Sequence, residues 1–154
     1  MAILADKRPI LLAEDNPDDV LLIRLALEKA GFCHQLMAVD NGEEAILYLN
    51  GEGAYNDRMQ FPSPRLLMLD LAMPRKNGLE VLAWLQQRPE WSYLPAVVLS
   101  GMCDEADIRR AYDLGAEGFL IKPLEFVELV NVMKHVGDFW LGETTTEAQR
   151  RWAA

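Results

Sequence analysis

In the stretch LLMLDLAMPRKNG, residues 66–78, one carboxylate, Asp70, ends a run of four apolar residues and stands ahead of a proline-broken loop. An ionised carboxylate is costly to bury there unless it meets a cation or a hydrogen-bond donor. Its partners must come from elsewhere in the chain. Three other apolar runs end in polar residues: Glu14 and Asp15 follow RPILLA, Ser100 ends PAVVLS and Lys122 follows EGFLI. Three acids brought together repel one another without a cation. Magnesium fits the need, because it takes oxygen ligands, keeps several waters and is held by one or two carboxylates plus phosphate oxygens. Asp15 and Asp70 would bind it directly and Glu14 through water. Ser100 can donate a hydrogen bond to a phosphoryl oxygen, and Lys122 supplies a compact positive charge. Asp70 then becomes a nucleophile able to form an acyl phosphate.

Such a convergence needs elements that all end at one edge. RPILLA reads as a strand, and NPDDVLLIRLALEKAG as a helix capped by Asn16, with Pro17 in its first turn, Asp18 and Asp19 favouring its positive end and Gly31 after it. HQLMAV, RLLMLD, PAVVLS and EGFLIK read as further strands. GEEAILYLNG, GLEVLAWLQQ, DEADIRRAYDLG and EFVELVNVMKHVGDFWL read as further helices. Five strands alternating with five helices predict an α/β fold, a doubly wound five-stranded parallel sheet with helices on both faces. Right-handed crossovers put the strand C-terminal ends on one edge, where ligands of such sheets bind. The segment EGAYNDRMQFPSP, residues 52–64, exceeds the usual connection of about 2 to 6 residues. It is a tolerated insertion rather than a recognition loop on the simpler reading, since long surface loops cost little.

Composition narrows the class. The 154 residues suit one domain, half of them apolar. A net charge of -9 repels nucleic-acid phosphates, so no nucleic-acid partner is expected. No apolar run approaches the roughly 18 residues of a membrane span, and MAILADKRPILLAEDN carries no cleavage pattern, so a cytoplasmic protein with no membrane partner is expected. Cys33 and Cys103 form no CxxC pair and read as reduced thiols, Cys103 beside the candidate site as a plain one. His34 and His135 are isolated.

LLAEDN, LLMLDLAMPRKNG, VVLSG and FLIKP together resemble the motifs of the bacterial response-regulator receiver domain of two-component signalling. The resemblance covers residues 8–141, leaving 142–154 as a tail. It implies the flavodoxin-like strand order 2-1-3-4-5 and a phosphoacceptor rather than an enzyme. It also implies that Glu14 and Asp15 form a magnesium pocket with Asp70, and that the Ala72 carbonyl completes the metal shell. Asp70 takes its phosphoryl group from a histidine kinase, with Ser100 and Lys122 contacting that group. Phe119 and Ser100 fall at switch positions, and the bond before Pro123 is expected to be cis. The ending DFWL, with the long insertion, resembles single-domain regulators that partner bacterial phytochromes. Output would pass by dimerisation or by relay to a histidine phosphotransfer protein. Where the family often has polar residues that orient the hydrolytic water, this chain has Ala72 and Met102. Slow self-dephosphorylation is therefore expected, and Ala72→Asn with Met102→Glu should speed the decay of the phosphorylated protein. An unchanged decay rate would refute this.

The last helix carries a wide apolar arc. At about 100° per residue, Phe126, Leu129, Val130, Val132, Met133, Val136, Phe139 and Trp140 span roughly 180°, more than one sheet-facing stripe needs. Val132, Val136, Phe139 and Trp140 are thus the expected dimer surface. Three rivals remain. A phosphatase with an aspartyl nucleophile, of the haloacid dehalogenase type, needs a second acid where Ala72 stands. A flavin carrier needs a phosphate-friendly loop where EDNPDD is acidic. A receiver fold that binds partners without being phosphorylated is the alternative that a full residue set argues against.

Overall fold

In the computed structural model, which describes residues 8–101 and 104–142, the five apolar runs are strands β1 (Ile10–Ala13), β2 (Leu36–Val39), β3 (Leu66–Leu69), β4 (Ala96–Ser100) and β5 (Gly118–Ile121). Between and after them lie helices α1 (Pro17–Lys29), α2 (Gly42–Asn50), α3 (Gly78–Gln86), α4 (Glu105–Asp113) and α5 (Phe126–Trp140). All neighbouring strands pair in parallel, in the order β2-β1-β3-β4-β5. Two 3-10 turns, Gly53–Tyr55 and Pro89–Trp91, were not expected from the sequence.

Period-two geometry sorts the strand residues into two cores. Ile10, Leu12, Leu66 and Met68 pack with Ile23, Ala26 and Leu27 of α1 and Met133 and Val136 of α5. Leu11, Ala13, Leu67 and Leu69 pack with Tyr48 of α2, Val81 and Leu82 of α3 and Ala111 of α4. Helices cover both faces, so β1 and β3 are buried at every position and their sequences show no alternation. Asn16 caps α1 by accepting from Asp18 N and Asp19 N, and Gly51 ends α2 with a left-handed φ of 66°.

The apolar arc of α5 is wide because the helix packs on α1 as well as on the sheet. Phe32, just after α1, lies against Gly137, where an added Cβ would meet its ring at 2.0 Å. Val136 is fully buried, so the structure overturns its place on a dimer surface. Val132 and Trp140 are half-buried against the same core. Trp140 also donates from Nε1 to Glu117 at 3.2 Å. Of the four residues named, Phe139 alone is exposed.

Residues 52–64 fold back onto α2. Tyr55 and Phe61 stack edge-on, with ring centroids 5.2 Å apart, and both meet Tyr48. Arg58 donates to the carbonyls of Tyr48, Leu49 and Phe61, closing the C-terminus of α2 with a positive charge. Arg58→Ala is expected to cost about 1–3 kcal/mol in urea denaturation. A midpoint equal to that of the wild type would mean that water replaces all three bonds.

Candidate functional site

The parallel ladder runs one residue past the strands, and the polar residues stand on that extra rung. Glu14 N donates to Val39 O at 2.9 Å, Asp70 N to Ala13 O at 3.0 Å and Lys122 N to Ser100 O at 2.8 Å. Each side chain is therefore set by backbone bonds at the C-terminal edge of the sheet, Glu14 and Asp70 at the ends of the neighbouring strands β1 and β3 and Lys122 at the end of the outer strand β5. Gly78 lets the start of α3 approach this edge, since a Cβ there would meet Asp70 O at 2.5 Å. The intervening loop turns through Arg75 and Lys76, with φ of 58° and 134°.

One carboxylate oxygen each from Glu14, Asp15 and Asp70 lies within 4.8 Å of the others. Glu14 and Asp70 are buried and Asp15 is exposed, so the group opens to solvent on one side. Oxygen-only donors at this spacing, two of them shielded, suit a hard divalent cation that keeps some of its waters. Lys122 Nζ stands among them, in ion pairs with Glu14 Oε1, with Asp19 Oδ2 at 2.9 Å and with Asp70 Oδ2 at 3.4 Å. Burial pushes the Glu14 carboxyl up to about 7; the Asp70 charge adds to this and the Lys122 hydrogen bond opposes it. Burial pulls Lys122 down, but its bonds to Glu14 and Asp19 outweigh that and hold the ammonium above its ordinary value.

Ser100 is buried at the end of β4, the strand next to β3. Ala72 is exposed just after Asp70, and its N–H points to Asp70 Oδ1 at 3.4 Å. Phe119 is half-buried in the core beneath α4, paired with Val98. The bond before Pro123 is trans rather than cis, a correction to the expectation. Trans is the lower-energy form of such bonds by about 0.5–1 kcal/mol, and from it Lys122 already reaches all three acids. Met102 and Cys103 lie outside the described residues, as does the tail from 143 onward. Sequence reasoning missed Asp19, which it treated as a helix-end charge. The signal was available in its position, the third of α1, one turn beyond the acidic pair Glu14 and Asp15.

A family model for the response regulator receiver domain matches residues 10–134. The response regulator Rcp1 of Synechocystis sp. is 33% identical over 139 residues, covering 90% of this chain and 92% of that protein. The solved structure of the phosphorylated cyanobacterial phytochrome response regulator RcpA is 36% identical, with a TM-score of 0.81, covering 89% of this chain and 96% of its own. That of the Mn2+-bound form of Rcp1 is 33% identical, with a TM-score of 0.77, covering 87% and 94%. Among the described residues no helix is long and apolar enough to cross a membrane.

Proposed function

The chain belongs to the response regulator receiver family, related to the phytochrome response regulators, and from that premise we propose that it is a magnesium-dependent phosphoacceptor charged on Asp70 by a histidine kinase. The observation that carries this reading is the meeting of Glu14, Asp15 and Asp70 oxygens within 4.8 Å, with Lys122 Nζ 3.4 Å from Asp70 Oδ2. An Asp70 oxygen attacks phosphorus, its bond to the donor's imidazole nitrogen breaks, and that nitrogen leaves with the electron pair. Lys122 offers a proton to a phosphoryl oxygen, and Ser100 a hydroxyl to another. A divalent ion held by Glu14, Asp15, Asp70 and the Ala72 carbonyl would neutralise charge on the group in flight.

Residues 8–141 form the receiver unit of this reading and 142–154 its tail, in a cytoplasmic protein. Phe119 acts as a packing switch through its ring, because it has no hydroxyl. A bacterial phytochrome is the proposed kinase. Output passes by protein contact, in a homodimer or by relay to a histidine phosphotransfer protein, and Phe139 remains open on α5 for such contact. Ala72 offers no general acid to the phosphatase alternative. The reading predicts that acetyl phosphate with Mg2+ adds one phosphoryl group to the intact mass and that EDTA prevents it. No added mass with Mg2+ present would leave the interaction-only alternative standing.

A further inference from the structure

Asp19 occupies the third position of α1, where an acid commonly turns back to accept the N–H of the capping residue. In α3, Glu80 does this for Asn77, at 3.0 Å. In α1 the corresponding N–H, that of Asn16, is taken by Glu14 Oε2 at 3.1 Å. Asp19 is released from the local bond, and its Oδ2 meets Lys122 Nζ at 2.9 Å. Lys122 has three protons to donate, and three carboxylates receive them, Asp70 at the longest distance, 3.4 Å. The Asp19 side chain is 33% exposed, against 2% for Glu14 and 10% for Asp70, so its pull on the ammonium is directed outward.

We propose that Asp19 is a positioning residue that parks the Lys122 ammonium off Asp70, leaving the Asp70 oxygens available to a divalent cation. The inference rests on the reading of Glu14, Asp15 and Asp70 as cation ligands. Without the Asp19 charge, the proton it held goes to Asp70, and the tighter Lys122–Asp70 pair competes with the cation for the same oxygens.

A double-mutant cycle read by Mn2+ affinity, with free ion counted by electron paramagnetic resonance, tests this in the full chain. Asp19→Asn should weaken Mn2+ binding roughly five-fold, and Asp19→Glu should stay within about two-fold of the wild type. In a Lys122→Ala background the same Asp19→Asn change should cost less than about two-fold, because the route through Lys122 is gone. Lys122→Met, which keeps the aliphatic stem, replaces Lys122→Ala if the latter fails to fold. An equal or larger loss in the Lys122 background would overturn the proposal, since Asp19 would then act as a charge on the ion itself. Wild-type affinity in Asp19→Asn would overturn it too, and a wild-type chain that binds no Mn2+ would sink it together with the cation pocket. Mn2+ binding without phosphoryl uptake from acetyl phosphate would sink only the phosphoacceptor reading, and the cycle would still decide the role of Asp19.

Discussion

Asp70→Asn is expected to take up no phosphoryl group from acetyl phosphate and, in metal-free buffer at pH 8, to be more stable than the wild type by about 1 kcal/mol. The two effects share one cause. The amide keeps the size of the carboxylate and one acceptor oxygen, which can serve the Ala72 N–H, while its NH2 replaces the oxygen that faced Lys122, so the local packing survives. It lacks the negative oxygen needed to attack phosphorus. It also removes one of three crowded charges, and the Asp70 charge is among the causes that hold the Glu14 proton on. Part of the gain is offset because Lys122 loses a partner, which keeps the expected figure small. Intact mass after acetyl phosphate treatment reads the first effect and urea denaturation in EDTA the second. A phosphorylated variant would move the acceptor elsewhere, and a destabilised one would mean that attraction to Lys122 outweighs repulsion among the acids.

The residues that build this site were legible wherever local rules decide their place. The apolar run ahead of Asp70 predicts a strand buried on both faces, and β3 is one. Asn16, Pro17 and Asp18 predict the start of α1, because capping is settled within one turn of chain. Strand-end placement followed from topology, since parallel strands with right-handed crossovers share one C-terminal edge. Side-chain direction at that edge was not legible. Asp19 reads as a favourable charge at a helix start, and only the contact across 103 residues to Lys122 reveals its other partner. The burial of Val136 was hidden for a related reason, because periodicity counts apolar positions and does not say how many neighbours cover them. Gly137 opens α5 to Phe32, and a second packing face consumes what looked like surplus. Arg58 was hidden likewise: a charged residue in a long polar segment gives no hint that its partners are the carbonyls ending α2.

Glu14→Gln should stabilise the metal-free protein at pH 8 by up to about 3 kcal/mol, at roughly 1.4 kcal/mol per pKa unit, and by about 2 kcal/mol less at pH 5.5. The Glu14 carboxyl is raised from 4.5 to about 7 in the folded chain, with burial as the main cause. The folded state therefore holds its proton more tightly than the unfolded state does. Between pH 4.5 and 7 the native state binds more protons, so stability falls as pH rises through that window and the full cost of the buried charge is present above it. Glutamine is neutral at every pH, so the variant escapes a cost that the wild type bears only when Glu14 is ionised. Its Oε1 can still accept from Lys122, and the Asn16 N–H that it gives up belongs to an exposed residue that water can reach. Urea midpoints in EDTA at the two pH values measure the difference. A gap that does not change with pH would show that Glu14 is ionised throughout, held so by Lys122. Saturating Mg2+ should close the gap at pH 8, because a cation favours the ionised carboxylate and gains less from the amide. That trade is the physical case for an acid here: its charge destabilises the metal-free fold, and on the proposed reading it is retained for the cation.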